Sequence, residues 1–141
     1  MLSRSHQVKG LRQTKEAEML DHLSIQVADI GASAKFYDSV LAPLGYERVL
    51  DFGEVVGFGR EGRPQFWLGP VTTKGEAREV HVAFEAADRD KVVEFRHAAT
   101  AAGAEVLHEL RVFPEYHQNY FGAFVRDPEG NNVEAVCHLP Y

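Results

Sequence analysis

The chain matches itself at an offset of 59 residues, and this constrains its fold more than any other feature. His22 falls on His81, Asp29 on Asp88 and Phe36 on Phe95; one residue is then lost and Gly45 falls on Gly103. The repeat extends to the hydrophobic pattern. From Asp21 to Val27, Leu23, Ile25 and Val27 alternate with His22, Ser24 and Gln26, the period of a half-buried strand. Asp29 stands where a helix N-cap belongs, Phe36/Val40 and Tyr37/Leu41 are spaced four apart, and Pro43 and Gly45 stop the helix. Strands are expected at Tyr46–Leu50, Glu54–Gly59 and Gln65–Leu68, between turns rich in Gly and Pro. The second half repeats the order: a strand at Glu79–Glu85, a helix from Arg89 to Ala102 closed by Gly103, then strands at Glu105–His108, Tyr120–Asp127 and Asn132–Cys137. A self-match of this period is an internal duplication of one supersecondary unit. Two βαβββ modules, about 20–70 and 79–138, would pair about a pseudo-two-fold axis into one α+β domain, a curved mixed sheet with a central cleft. His22 and His81 would face each other across that cleft.

At 141 residues the chain suits one domain, 19–141, preceded by a polar extension over 1–18 that reads as flexible. That extension lacks the apolar run of a secretory signal. The net charge of −6, with no cluster of Lys or Arg, argues against a nucleic-acid or anionic-membrane partner. No apolar run approaches the ~20 residues of a membrane span. With Cys137 as the single cysteine, no intrachain disulfide is possible, which suits a reducing, cytoplasmic setting. Cys137 and His138 are strand neighbours on opposite faces, so they cannot share a metal; Cys137 reads as structural, and the role of His138 stays open.

The chemistry centres on the two matched histidines and a carboxylate. In Asn132–Val136, Glu134 points to the face opposite Val133 and Ala135, and a carboxylate in mid-strand is costly to bury unless paired or bound to a cation. His22, His81 and Glu134 make the two-imidazole, one-carboxylate set that holds iron, zinc, manganese or nickel with positions left open for substrate. The segment Pro114–Tyr120 gathers titratable and aromatic groups just before a strand. There His117 is the candidate general acid or base, with Tyr120 as donor to a developing oxyanion and Tyr116 as a substrate contact. Phe66 and Trp67 read either as core or as a second substrate contact.

Asp21–Asp29 (DHLSIQVAD), Phe36-Tyr37, Leu44-Gly45-Tyr46 and the closing Asp127–Glu134 (DPEGNNVE) resemble the vicinal oxygen chelate superfamily over Asp21 to His138. That superfamily includes glyoxalase I, extradiol dioxygenases, thiol transferases, epimerases and metal-free drug-sequestering proteins. The resemblance implies a divalent metal on His22, His81 and Glu134, a small oxygenated substrate chelated by a Lewis acid, and a homodimer. The activity expected is that of a glyoxalase-like lyase or isomerase, a dioxygenase or a thiol transferase. An iron-dependent extradiol dioxygenase is the alternative enzyme. A sequestering protein is the alternative of another class, and the retained triad weighs against it. Glyoxalase I itself is disfavoured. Its second carboxylate belongs on the last strand of the first half, where alignment puts Phe66 opposite Glu134, or Gln65 or Trp67 after a one-residue slip.

Overall fold

The computed structural model describes residue 17 and residues 19–141; apart from Ala17, the extension expected over 1–18 lies outside them. Each half builds the expected unit. In the first, strand β1 (Leu23–Val27) leads into helix α1 (Ile30–Leu41), a 3-10 turn (Ala42–Leu44), and strands β2 (Glu47–Asp51), β3 (Val56–Arg60) and β4 (Arg63–Pro70). In the second, β5 (His81–Glu85) leads into α2 (Arg89–Ala101), then β6 (Arg111–Val112), β7 (Phe121–Arg126) and β8 (Asn132–Cys137). The strand orders are the same, β1-β4-β3-β2 and β5-β8-β7-β6, with the first strand parallel to the last in each. No ladder joins the two four-stranded mixed sheets among the described residues.

The matched residues of the repeat do matched work. The Asp29 and Asp88 side chains cap α1 and α2 by accepting from Ala32 N at 3.0 Å and Lys91 N at 2.9 Å. Gly45 and Gly103, at φ of 87° and 84°, take the left-handed turn that ends each helical segment. Alternation then sends Ile25 and Val27 of β1, Val82 of β5, and Val133 and Ala135 of β8 into one shared core. Phe36, Tyr37, Val40 and Leu41 of α1 and Val92, Phe95 and Ala99 of α2 fill that core from the helix side. Cys137 is buried there too, as its apolar setting predicts. No described helix is long and apolar enough to cross a membrane.

One expected strand comes out differently. Glu105–His108 contributes only an isolated bridge, Val106 to Val125, and the edge pairing resumes at Arg111–Val112. Leu107 N and the Glu105 carbonyl do bond β7, but the chain leaves the ladder before completing a strand. The edge is therefore split around 108–110.

A five-residue turn, Asp127–Asn131, ties the halves together. The Asp127 carboxylate, 4% exposed, accepts from Glu129 N (2.9 Å), Asn131 N (2.8 Å), Asn131 Nδ2 (3.1 Å) and, across the module boundary, the Tyr37 hydroxyl of α1 (2.6 Å). Glu129 reaches back to the start of α1, accepting from Ala28 N at 2.9 Å and Asp29 N at 3.1 Å. A carboxylate at that end of a helix meets unpaired N–H groups and the positive end of the dipole. The closing sequence that carried much of the resemblance is thus a clasp between modules.

Candidate functional site

Parallel pairing of β5 with β8 sets His81 opposite Asn132 and Ala83 opposite Glu134. His81 and Glu134 therefore stand diagonally on the face of the second sheet that points away from the helices. The imidazole Nε2 comes within 2.8 Å of Glu134 Oε1. Glu134 is 1% exposed, while the His81 side chain is half in solvent. Its other oxygen, Oε2, accepts from the Tyr120 hydroxyl, which enters from the residue before β7. Burial, then the hydrogen bond and charge of Glu134, hold the Tyr120 phenol above its ordinary range, so it stays a donor. Gly122 leaves the room for this: a Cβ there would lie 3.2 Å from Glu134 Oε2 and 3.3 Å from the Tyr120 ring. Among the described residues no Lys or Arg forms an ion pair with Glu134. A buried carboxylate satisfied by one neutral donor and one imidazole is a ready acceptor for a cation.

Aromatic rings enclose this pair. His81 packs on Phe124 (6.0 Å between centroids), Phe124 on His108 (5.0 Å) and Phe113 (5.3 Å), and Phe113 stacks on Tyr116 at 5.4 Å with planes 7° apart. Tyr120 meets Tyr116 at 5.3 Å and His138 at 5.2 Å, and His138 meets His117 at 5.5 Å. The loop bearing these groups is closed by its own backbone bonds: Phe113 N to Tyr120 O, Tyr116 N to Phe113 O and Tyr120 N to His117 O. His117 Nδ1 lies 2.6 Å from the Gln118 carbonyl. A carbonyl only accepts, so Nδ1 carries a proton, and in the neutral form Nε2 is the bare nitrogen.

The sequence-based candidates are thus brought together only in part. His81, Glu134, Tyr120, His117 and Tyr116 share one face and one ring network. His22 stands outside that group: its Nδ1 pairs with Asp21 Oδ1 at 2.8 Å, and it lines a cleft of about 240 Å³ with Leu23, Tyr46, Phe58 and Val82. No group of three or more His, Cys, Asp or Glu disposed to hold a metal occurs among the described residues of one chain. His22 and His81, expected to face each other, therefore do not close a triad with Glu134 within the chain.

Phe66 is corrected as well. Pairing with β1 puts Leu23 opposite Phe66 and Ser24 opposite Trp67, while Ala83, the counterpart of Ser24, lies opposite Glu134. Trp67 is accordingly the equivalent of Glu134. β3 and β4 are joined by Glu61-Gly62 alone, against five residues between β7 and β8, but a register shift between Phe58 and Gly59 makes up the difference, so Gly57–Trp67 and Phe124–Glu134 are equivalent pairs. Phe66, 4% exposed, packs on Tyr37 and Phe84 in the core and touches the solvent side only through the His22 cleft. Trp67 lies half-buried on the other face, seated over Gly57, where a Cβ would stand 2.8 Å from the indole. Either residue leaves the first half without a carboxylate.

His108, Phe113 and Phe124 belong to the network although the sequence pattern does not mark them, and His138, whose role the sequence leaves open, joins them. Alternation from Glu134 through Val136 places His138 on the Glu134 face, a signal the sequence does hold. The contribution of His108 depends on the split edge and has no counterpart in the pattern.

Comparison with known proteins agrees with this fold. Residues 19–135 match the family model of the Glyoxalase/Bleomycin resistance protein/Dioxygenase superfamily. The chain is 25% identical over 128 residues to the Bacillus subtilis (strain 168) protein YqjT, covering 84% of this chain and 98% of that one. Its fold is similar to a glyoxalase/bleomycin resistance protein from Albidiferax ferrireducens T118 (TM-score 0.72, 23% identity, 85% and 98% of the two chains). It is also similar to a lactoylglutathione lyase from Agrobacterium tumefaciens (TM-score 0.64, 24% identity, 88% and 96%). A third likeness is to the oxidase ChaP-H2 (TM-score 0.63, 22% identity, 89% and 97%). Duplicated modules, shared core and family match lead to one statement: this chain belongs to the Glyoxalase/Bleomycin resistance protein/Dioxygenase superfamily.

Proposed function

We propose that the chain is a metal-dependent enzyme acting on a small oxygenated substrate, with Glu134, His81 and His22 holding a divalent ion of iron, zinc, manganese or nickel. The observation that carries this is the His81 Nε2 to Glu134 Oε1 approach of 2.8 Å around a carboxylate that is 1% exposed. The donor set fits such an ion: one imidazole nitrogen and one carboxylate oxygen already converge, and Tyr120 orients the carboxylate through its other oxygen. His22, which does not join this pair in its own chain, would be supplied by a second copy in a homodimer. The open edges on β1 and β5 support such pairing. When bound, the ion would supply a Lewis acid for the substrate's oxygens. Tyr120, whose hydroxyl proton is given to Glu134, holds the carboxylate in place, and the Nε2 of neutral His117 is the group suited to take or return a proton.

Elemental analysis and light scattering test this together. Wild type should hold stoichiometric metal as a dimer, and His22→Ala and His81→Ala should each lose it while staying folded. Co-expressing the two variants should restore about one ion per heterodimer, because one of its two sites keeps all three ligands. Equal metal in wild type and His81→Ala would sink the metal reading. A 15.8 kDa monomer, or no restoration in the heterodimer, would sink the shared site.

A further inference from the structure

We infer that Asp21 is a positioning residue for His22: its carboxylate holds the imidazole by Nδ1, so that Nε2 is the nitrogen presented to a divalent ion. The inference rests on the proposal that His22 is a metal ligand lent to a second copy, and it adds the group that prepares that ligand. His22 Nδ1 lies 2.8 Å from Asp21 Oδ1, the length of a charge-assisted hydrogen bond. An ionised carboxylate only accepts, so Nδ1 carries a proton, and in the neutral ring Nε2 is the bare nitrogen.

The two histidines of the repeat are braced differently. His81 packs on Phe124, with 6.0 Å between centroids, and meets the buried Glu134 carboxylate through Nε2. His22 stands one residue ahead of β1 with its side chain 55% exposed, so packing does less to fix its ring. The sequence carries the same difference. The offset of 59 that sets His22 on His81 sets Asp21 on Val80, whose side chain cannot accept a hydrogen bond. The added acceptor thus belongs to the histidine that must reach a site completed by another copy.

An unheld imidazole samples both tautomers and several rotamers, and the tautomer protonated at Nε2 blocks the ligating nitrogen. Fixing the ring before an ion arrives removes that ordering cost from binding. The charge of Asp21 also makes Nε2 a stronger donor. Glu134 brings one negative charge to a divalent ion and the neutral imidazoles bring none, so a second carboxylate at one remove moves the site toward neutrality.

Two measurements on the full chain test the inference. Long-range proton–nitrogen NMR of metal-free protein with isotope-labelled histidine, recorded with the imidazoles neutral, should show His22 protonated at Nδ1. In Asp21→Ala it should move toward protonation at Nε2. Zinc affinity, measured by competition with a chromophoric chelator, should fall about 10- to 100-fold in Asp21→Ala. Asp21→Asn, whose carboxamide oxygen still accepts from Nδ1, should recover part of that loss, which a merely structural role of Asp21 does not predict. A wild-type His22 protonated at Nε2, a tautomer unchanged in Asp21→Ala, or zinc held as tightly by Asp21→Ala as by wild type would each overturn the inference and leave the metal reading standing. Wild type that takes up no zinc would sink the metal reading and this inference with it.

Discussion

Replacing Tyr37 by Phe should loosen the clasp between the modules without disturbing the packing around it. The ring stays among Phe36, Phe58 and Phe66, at 5.2, 6.2 and 4.9 Å, and only the hydroxyl is lost. That hydroxyl makes a 2.6 Å bond to the buried Asp127 carboxylate. A hydrogen bond to a charged group contributes ~1.5–3 kcal/mol net. Asp127 keeps its bonds from Glu129 N, Asn131 N and Asn131 Nδ2, so the substitution does not strand a buried charge. The expected loss is therefore about 2 kcal/mol, a fall in Tm of roughly 6–10 °C for a domain of this size. Asp127→Ala is the contrast: it leaves the hydroxyl and three N–H groups without their acceptor, and should cost at least twice as much. The pH dependence adds a signature. Burial first, then Asp127, pushes the Tyr37 phenol well above its ordinary value of 10.0. Below about pH 10 the proton is on in both states and this contribution is complete. Above it the unfolded chain releases a proton that the folded chain retains, so stability falls as pH rises, by ~1.4 kcal/mol per pH unit for this one group. Urea unfolding from pH 7 to 11 should show the advantage of wild type over Tyr37→Phe shrinking above pH 10. A change below ~0.5 kcal/mol at pH 7, or an advantage that grows with alkali, would refute the reasoning.

Glu129→Ala removes both acceptors from the start of α1 and should cost ~1–2 kcal/mol, read as a lower urea midpoint with an unchanged m-value. Lactoylglutathione formation should be negligible in the zinc-, nickel- and manganese-loaded protein. Trp67 stands where the first half would need a carboxylate base, and losing such a base costs ~10²–10⁴-fold. Turnover near that of a true glyoxalase, surviving in His117→Ala, would mean that another residue supplies the base.

Much of the fold was legible because the repeat exposes its own punctuation. Asp29 and Asp88 cap, Gly45 and Gly103 end helical segments, and the strand alternation around Ile25 and Val133 marks the core side. These are local signals, carried by side-chain period and backbone conformation. Register was less legible, because the irregular pairing between Phe58 and Gly59 leaves no mark in the alternation that would tell Trp67 from Phe66 as the counterpart of Glu134. Between elements the sequence is silent. Nothing in the alternation of β1 or β5 says how the two sheets sit together, so the pattern cannot tell that within one chain His22 lines a separate cleft. The bond from Tyr120 to Glu134 was equally hidden, since it depends on where β7 begins relative to β8.

The clasp also bears on the order in which the molecule assembles. Its bonds join residues 90 to 101 positions apart in the chain. Contacts of such separation form after local ones, since closing a long loop carries its entropy cost before any reward. On the ribosome, α1 is made early, yet its Ala28 and Asp29 amides have no Glu129 to meet until the final hairpin emerges. The first module must therefore wait, with part of its core uncovered, for the last turn of the second.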